Sequence, residues 1–191
     1  MALLNSKHGY GALTKIFHWS IAALFALQYV SAAIMLRTPD GLTTFGVTQA
    51  SFYNWHKSLG LVALAVTVAR LLNRRAGALP PWAPSLTKVE KLIIHRAEQL
   101  LYAAMLVMPL SGFFYVMAGG YGVRLFGVVD LPNAIGVVPW LAAMAKWVHV
   151  ASAMLLLLPL GAHLGLVLGH HFGLRDRIIN RMLPAKATHK P

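Results

Sequence analysis

The segment from Leu141 to Leu168 reads LAAMAKWVHVASAMLLLLPLGAHLGLVL. An apolar run of this length is enough to cross a bilayer as one helix, since the hydrocarbon core of ~30 Å requires about 20 residues. Two histidines, His149 and His163, lie fourteen positions apart within it. On an α-helix fourteen residues rise ~21 Å and complete almost four turns, so both imidazoles are expected on one face at two membrane depths.

Three more apolar segments precede this one, and the composition of the chain agrees with them. Of the 191 residues, 58% are hydrophobic and only 12% are charged, which is too little polar material to cover a soluble domain of this size. We therefore predict an all-α fold, an integral membrane four-helix bundle formed by one domain over residues 1–191. The helices are expected at about residues 14–36, 52–73, 90–117 and 141–170.

The connecting segments contain residues that break helices. Residues 37–49 hold a Thr-Pro-Asp-Gly turn signal and form a short outer loop, and three prolines interrupt the inner loop at 73–87. The outer connection at 118–139 is rich in glycine, and its aromatic residues suit an interfacial loop or a short surface helix. Glycines such as Gly60 and Gly112 permit close approach of a helix or a porphyrin.

The basic residues are unevenly divided between the two faces of the predicted bundle. If the N-terminus is cytoplasmic, thirteen lie on the inner face: Lys7, Lys15, Arg70, Arg74, Arg75, Lys88, Lys91, Arg96, Arg175, Arg177, Arg181, Lys186 and Lys190. Four lie on the outer face: Arg37, Lys57, Arg124 and Lys146. This bias predicts that both termini are cytoplasmic. Anionic lipid headgroups then account for the net charge of +12 without any nucleic-acid partner.

The chain has no cysteine. This excludes disulfides, cysteine-ligated iron–sulfur clusters and the thioether attachment of c-type haem. Histidine is then the obvious residue to bind a metal or a haem.

Depth in the membrane pairs four of the nine histidines. His18 is early in the first helix, near the inner face, and His163 is at the same level. His56 is early in the second helix, which starts outside, and it matches His149. Any one of them alone could be satisfied by a backbone carbonyl or a water. Ionisable groups within membrane segments are costly and tend to face the bundle interior, however, so two matched pairs favour a ligand role.

Two neutral imidazoles above and below a haem fill all six iron positions. No site is then left open for oxygen activation, and the expected work is one-electron transfer. The four histidines thus predict two bis-histidine haems on one shared helix.

Three further residues are candidates for contact with the cofactors. Arg70, near the inner end of the second helix, could pair with a haem propionate or simply extend to the interface. His95 and His170 lie at the same inner face, where they could hydrogen-bond a propionate or a quinone carbonyl. Solvated positions at the helix ends are the alternative for both.

From about Tyr10 to Pro184 the chain resembles the prokaryotic cytochrome b561 family, the small di-haem cytochromes of bacterial inner membranes. The residues that carry this resemblance are Phe17-His18-Trp19, Trp55-His56-Lys57-Ser58-Leu59-Gly60, Ala69-Arg70-Leu71 with Pro80-Pro81, His95, Lys146-Trp147-Val148-His149, Ala162-His163 and His170-His171-Phe172.

The resemblance implies that His18, His56, His149 and His163 are the axial ligands of two b haems and that electrons are exchanged with the quinone pool, with ubiquinone as acceptor. One branch of the family is similar to superoxide oxidase, a superoxide:quinone oxidoreductase. If superoxide is the donor, Lys57, Arg124 and Lys146 would attract it to the outer face. A redox partner protein is the alternative donor.

Two other functions remain open from the sequence. The chain could be a haem-bearing membrane anchor subunit of a larger dehydrogenase or hydrogenase, which predicts a stoichiometric soluble partner. It could also be a non-redox transporter or structural bundle, which predicts a colourless protein.

Overall fold

A computed structural model describes residues 2–176 and 178–183, and four long helices dominate it. They are α1 (Ala12–Arg37), α2 (Gln49–Ala76), α3 (Lys88–Ala118) and α4 (Pro139–Leu168). Each is long and apolar enough to span a membrane, which confirms the predicted all-α membrane fold. Each observed bound is within three residues of the predicted one. Three of the inner basic residues, Arg177, Lys186 and Lys190, lie outside the described residues, as does the C-terminal limit of the resemblance at Pro184.

Local signals explain where the helices start. The Thr87 hydroxyl accepts from the Glu90 amide over 3.3 Å, and the Glu90 carboxylate accepts from the Thr87 amide over 2.8 Å, which is a capping box. Thr48 caps α2 in the simpler way, through Ser51. Pro139 occupies the first position of α4, where its missing N–H costs nothing.

The two outer connections are β-hairpins. Strands β1 (Thr43–Thr44) and β2 (Val47–Thr48) pair antiparallel, as do β3 (Arg124–Leu125) and β4 (Val129–Asp130). The turns use a Phe-Gly pair with positive φ at both positions: 54° and 74° at Phe45 and Gly46, and 47° and 76° at Phe126 and Gly127. Residues 118–139 therefore contain a β-hairpin and not a short surface helix, which was one of the two structures predicted for this connection.

The helices pack as two antiparallel pairs, and α2 and α3 join one pair to the other. Helix α1 packs against α2, α3 packs against α4, and α2 contacts α3, whereas α1 and α4 are farther apart and are joined by the Tyr29 hydroxyl, which donates to the carbonyl of Ala153 over 2.5 Å. This arrangement leaves space in front of the face of α4 that carries its two histidines. We call the end that bears the two β-hairpins the outer end.

The opposite end, here the inner end, is closed by the segment after α4. Beyond a π-helical turn at Gly169–Leu174, a short 3-10 helix at Ile178–Arg181 folds back over the bundle. Lys15 Nζ and Trp19 Nε1, both on α1, donate to the carbonyls of Leu183 and Met182 over 2.7 and 3.0 Å. The described chain ends thus meet at one end of the bundle.

Candidate cofactor site

The four histidines predicted to pair by depth face one another across the helices. The ring centres of His18 and His163 are 6.2 Å apart, with the ring planes at 59°. The ring centres of His56 and His149 are also 6.2 Å apart, with the planes at 83°. A metal bonded to both rings of a pair, at about 2 Å from each nitrogen, would separate the ring centres by about 6 Å. Each pair is therefore spaced to accept one metal between its rings.

A cavity of about 940 Å³ surrounds the outer pair, His56 and His149. Its volume is at the upper end of the roughly 300–1,000 Å³ of cofactor sites. The lining is mainly apolar and comes from all four helices, with Phe25, Leu61, Phe113 and Met154 among its members. The cavity thus suits a large, flat, apolar molecule that approaches both imidazoles.

The protonation of His149 is set by a backbone carbonyl. Its Nδ1 is 2.8 Å from the carbonyl oxygen of Met108, on α3. A carbonyl oxygen only accepts, so Nδ1 must carry the proton. In the neutral ring the lone pair is then on Nε2, the nitrogen that is free to bind a metal.

His56 has a hydrogen-bond partner on α1 that can accept from the same ring nitrogen. Its Nδ1 is 3.0 Å from the Ser31 hydroxyl, and that hydroxyl is 3.0 Å from the carbonyl of Gln28. Coordination of a metal through Nε2 requires the proton on Nδ1, and in that tautomer Nδ1 donates to the Ser31 oxygen while the Ser31 hydroxyl donates to the carbonyl. Gln28 also donates through Nε2 to the carbonyl of His56 over 2.9 Å. Both rings of the outer pair can therefore present Nε2 to a metal while Nδ1 keeps a hydrogen-bond partner.

The second β-hairpin packs onto the outer site. The amide of Phe126 donates to the Ser58 hydroxyl over 2.8 Å, and the ring of Phe126 contacts the Trp55 ring edge-on at 6.4 Å. Lys57 Nζ donates to the carbonyl of Gly122 over 2.9 Å. These contacts join the hairpin to the segment that carries His56. Lys57 and Lys146 both line the cavity, whereas Arg124 faces Asp130 at 3.7 Å.

Arg70 belongs to a polar cluster at the inner end. Its Nε donates to the Tyr102 hydroxyl over 3.1 Å, and the Tyr102 ring also lies against the guanidinium of Arg74. Arg74 in turn pairs with Glu98 at 2.5 Å. Arg70 also lines a small cavity of about 60 Å³ beside Asn73, whose buried Oδ1 has no partner among the described residues. Within those residues, the terminal nitrogens of Arg70 have no hydrogen bond, so the propionate contact stays a prediction.

The other two inner histidines have different surroundings. His95 is exposed on α3. His170 is buried, and both of its nitrogens are engaged: Nδ1 is 2.5 Å from Asp176 and Nε2 is 3.0 Å from Glu90. This network joins the start of α3 to the segment after α4. The cofactor contacts predicted for His95 and His170 are not tested by these positions.

The donor set indicates which kind of metal site the helices can form. Among the described residues, no three His, Asp or Glu side chains converge as a metal site of protein ligands alone would require. Paired imidazoles instead fit a metal whose remaining ligands come from a macrocycle, as in a haem. The apolar cavity and the two free Nε2 atoms agree with that assignment.

The residues around the ligands could not have been found from the sequence. Ser31, Gln28 and Met108 are ordinary helix residues there, and nothing in their spacing indicates contact with a histidine. For Gly112, the sequence offers only the small size of the residue as an indication of a close contact. A Cβ built on it would be 2.9 Å from both Cε1 and Nδ1 of His149.

Comparisons with known proteins give one family. The family model described as prokaryotic cytochrome b561 matches residues 9–185. The chain is 25% identical over 190 residues to cytochrome b561 homolog 2 of Escherichia coli (strain K12), covering 96% of this chain and 95% of the relative. It is 25% identical over 181 residues to the probable superoxide oxidase CybB of Yersinia pestis, covering 93% and 97%. A third relative, cytochrome b561 homolog 1 of the same E. coli strain, is 23% identical over 178 residues, covering 91% and 96%.

Proposed function

The chain belongs to the prokaryotic cytochrome b561 family, and we propose that it is a di-haem b-type cytochrome carrying single electrons across the inner membrane, between a donor at the outer end and the quinone pool. Membership of the family supports membrane electron transfer and haem b. The bis-histidine ligands, the direction of transfer and ubiquinone as acceptor are our proposal.

The observation that carries the proposal is the equal 6.2 Å separation of the two histidine pairs. His149 and His163 lie at two levels of α4. The ring opposite His149 is His56 of α2, and the ring opposite His163 is His18 of α1. Haem b, when bound, supplies an iron that takes up and releases one electron at a time. The helices place the imidazoles of each pair opposite one another, and at the outer pair hydrogen bonds to Nδ1 support the tautomer that leaves Nε2 available.

The charges support an orientation. Of the basic residues that the structure describes, ten lie toward the inner end and four toward the outer end, where α1 contributes Arg37 and the second β-hairpin contributes Arg124. We place the inner end in the cytoplasm on this bias. The outer histidine pair is then on the periplasmic side.

Superoxide is the donor that one observation favours. Lys57 and Lys146 line the outer cavity together with one carboxylate, Asp40, and a lining of net positive charge raises the local concentration of a small anion. The relative from Yersinia pestis is named a probable superoxide oxidase. On these grounds we propose superoxide:quinone oxidoreductase as the activity.

The test is a reduced-minus-oxidised spectrum of the purified protein with haem quantification. Two b haems per chain that respond to dithionite are expected. A colourless preparation would overturn the proposal in favour of a transporter or structural bundle. Two haems together with a stoichiometric soluble subunit would point instead to an anchor subunit.

A further inference from the structure

The two histidine pairs differ in how their rings are held. At the outer pair, Nδ1 of His149 donates to the carbonyl of Met108, and Nδ1 of His56 is 3.0 Å from the Ser31 hydroxyl, which accepts from it when Nε2 binds a metal. At the inner pair, the ring nitrogens of His18 and His163 have no hydrogen bond within the described part of the chain. The protein therefore orients the outer rings in a way that it does not orient the inner ones.

The contacts on His56 come from a neighbouring helix. Ser31 and Gln28 are three positions apart on α1, so they lie on one face of it. The side-chain amide of Gln28 donates to the backbone carbonyl of His56, while the Ser31 hydroxyl contacts the imidazole ring. Gly60, one turn after His56, leaves room for Gln28, because a Cβ there would be 3.0 Å from Nε2 of the Gln28 amide.

We propose that Ser31 is a positioning residue for the outer haem, fixing the tautomer and orientation of His56 through its hydroxyl. This inference rests on the proposed bis-histidine ligation and assigns a role that the ligand set alone does not contain. A hydrogen-bonded Nδ1–H makes the imidazole a stronger donor to the oxidised iron. Loss of the acceptor should therefore loosen the outer haem and raise its midpoint potential, with no effect on the inner haem.

The test separates the two haems by their ligands. Ser31→Ala is placed in a His163→Ala background, which keeps only the outer centre, and in a His149→Ala background, which keeps only the inner one. In the first background, Ser31→Ala should shift the midpoint potential to a more positive value. It should also speed transfer of haem to excess apomyoglobin by roughly tenfold, the lower end of the range for residues that support a ligand. In the second background neither quantity should change.

Two further variants exclude a general loss of structure. Ser31→Thr keeps the hydroxyl and should restore the potential and the retention of haem. Ser20→Ala removes a hydroxyl from the same helix and should leave the outer centre unchanged. Equal effects of Ser31→Ala in both backgrounds, or no effect on the outer centre, would overturn the role of Ser31. A haem-free wild-type protein would instead refute the proposed function.

Discussion

Gly112 lies directly against the ring of His149. A Cβ at this position would be 2.9 Å from Cε1 and from Nδ1 of the histidine, closer than real Cβ atoms approach another heavy atom. The same ring donates to the carbonyl of Met108, one turn earlier on α3. Helix α3 therefore sets the position of a ring on α4 by both a hydrogen bond and a steric limit.

Gly112→Ala should accordingly displace His149. Overpacking of a tight contact costs about 1–3 kcal/mol, and here the strain acts on the ring that we propose as an outer ligand. We expect a lower content of the outer haem and an unchanged inner haem, as measured by haem quantification and redox titration. Gly161→Ala is the matched control, because a Cβ at Gly161 meets no atom within 4 Å. Equal haem content in the two variants would contradict the steric role.

His149→Ala and His163→Ala should each remove a different haem. The two residues are at separate depths on α4 and face separate partners, His56 and His18. Each single variant should bind one haem per chain, and the two spectra should add up to that of the wild type. If both variants lost the same centre, the assignment of one pair to each haem would be wrong.

Lys146→Gln should slow reduction of the protein by superoxide. Lys146 is exposed and lines the outer cavity, so it contributes positive potential at the entrance. We expect the rate at low ionic strength to fall by roughly threefold to tenfold and its salt dependence to weaken. Lys88→Gln, an exposed lysine at the inner end, is the control and should have no effect. A rate that is unchanged by Lys146→Gln would remove the attraction of superoxide from the proposal.

Arg70→Ala should weaken retention of the inner haem alone. Its guanidinium is oriented by the Tyr102 hydroxyl, and we expect its terminal nitrogens to pair with a propionate. The measurement is the rate of haem transfer to apomyoglobin in the His149→Ala background, where only the inner centre remains. Arg75→Ala is the control because Arg75 is exposed at the same end of α2. Identical rates in the two variants would indicate that Arg70 only extends to the interface.

Acid should release the segment after α4. The Ser85 hydroxyl donates to Asp176 over 2.6 Å and holds the pKa of Asp176 below its ordinary value of 3.8, an effect to which the hydrogen bond with His170 adds. Because the folded pKa is lowered, the stabilisation is complete above about pH 4 and is lost as the pH falls through the folded pKa. The protection factors of the amides in residues 178–183, which compare the observed exchange with the intrinsic rate at each pH, should therefore fall on acidification.

Asp176→Asn should lower those protection factors already at neutral pH and make them largely independent of acid. Asp40→Asn, an exposed carboxylate at the outer end, should leave them unchanged. Slow exchange in Asp176→Asn at neutral pH would show that other contacts, such as the 2.6 Å bond from Arg181 to the carbonyl of Pro81, hold the segment.

The hairpins show where local patterns mislead. Positive φ at two successive turn positions usually requires Asn-Gly or Asp-Gly, whereas both turns here begin with phenylalanine. At Phe126 the contacts with Ser58 and Trp55 accompany this conformation. Because those contacts are far apart in sequence, the residues 118–139 alone indicated only an interfacial loop or a surface helix.

The four apolar spans and the relative levels of the four paired histidines could be predicted from the residues alone. Both follow from local quantities, the length of an apolar run and the rise of a helix. These quantities are enough to predict that His56 and His149 lie at the same level. The folded arrangement of the helices was needed to see that Ser31 and the carbonyl of Met108 contact the outer rings, that Gly112 limits one of them, and that His170 is bound between Glu90 and Asp176. These contacts depend on how each helix is rotated toward its neighbours, and that rotation is set by packing between residues distant in the chain.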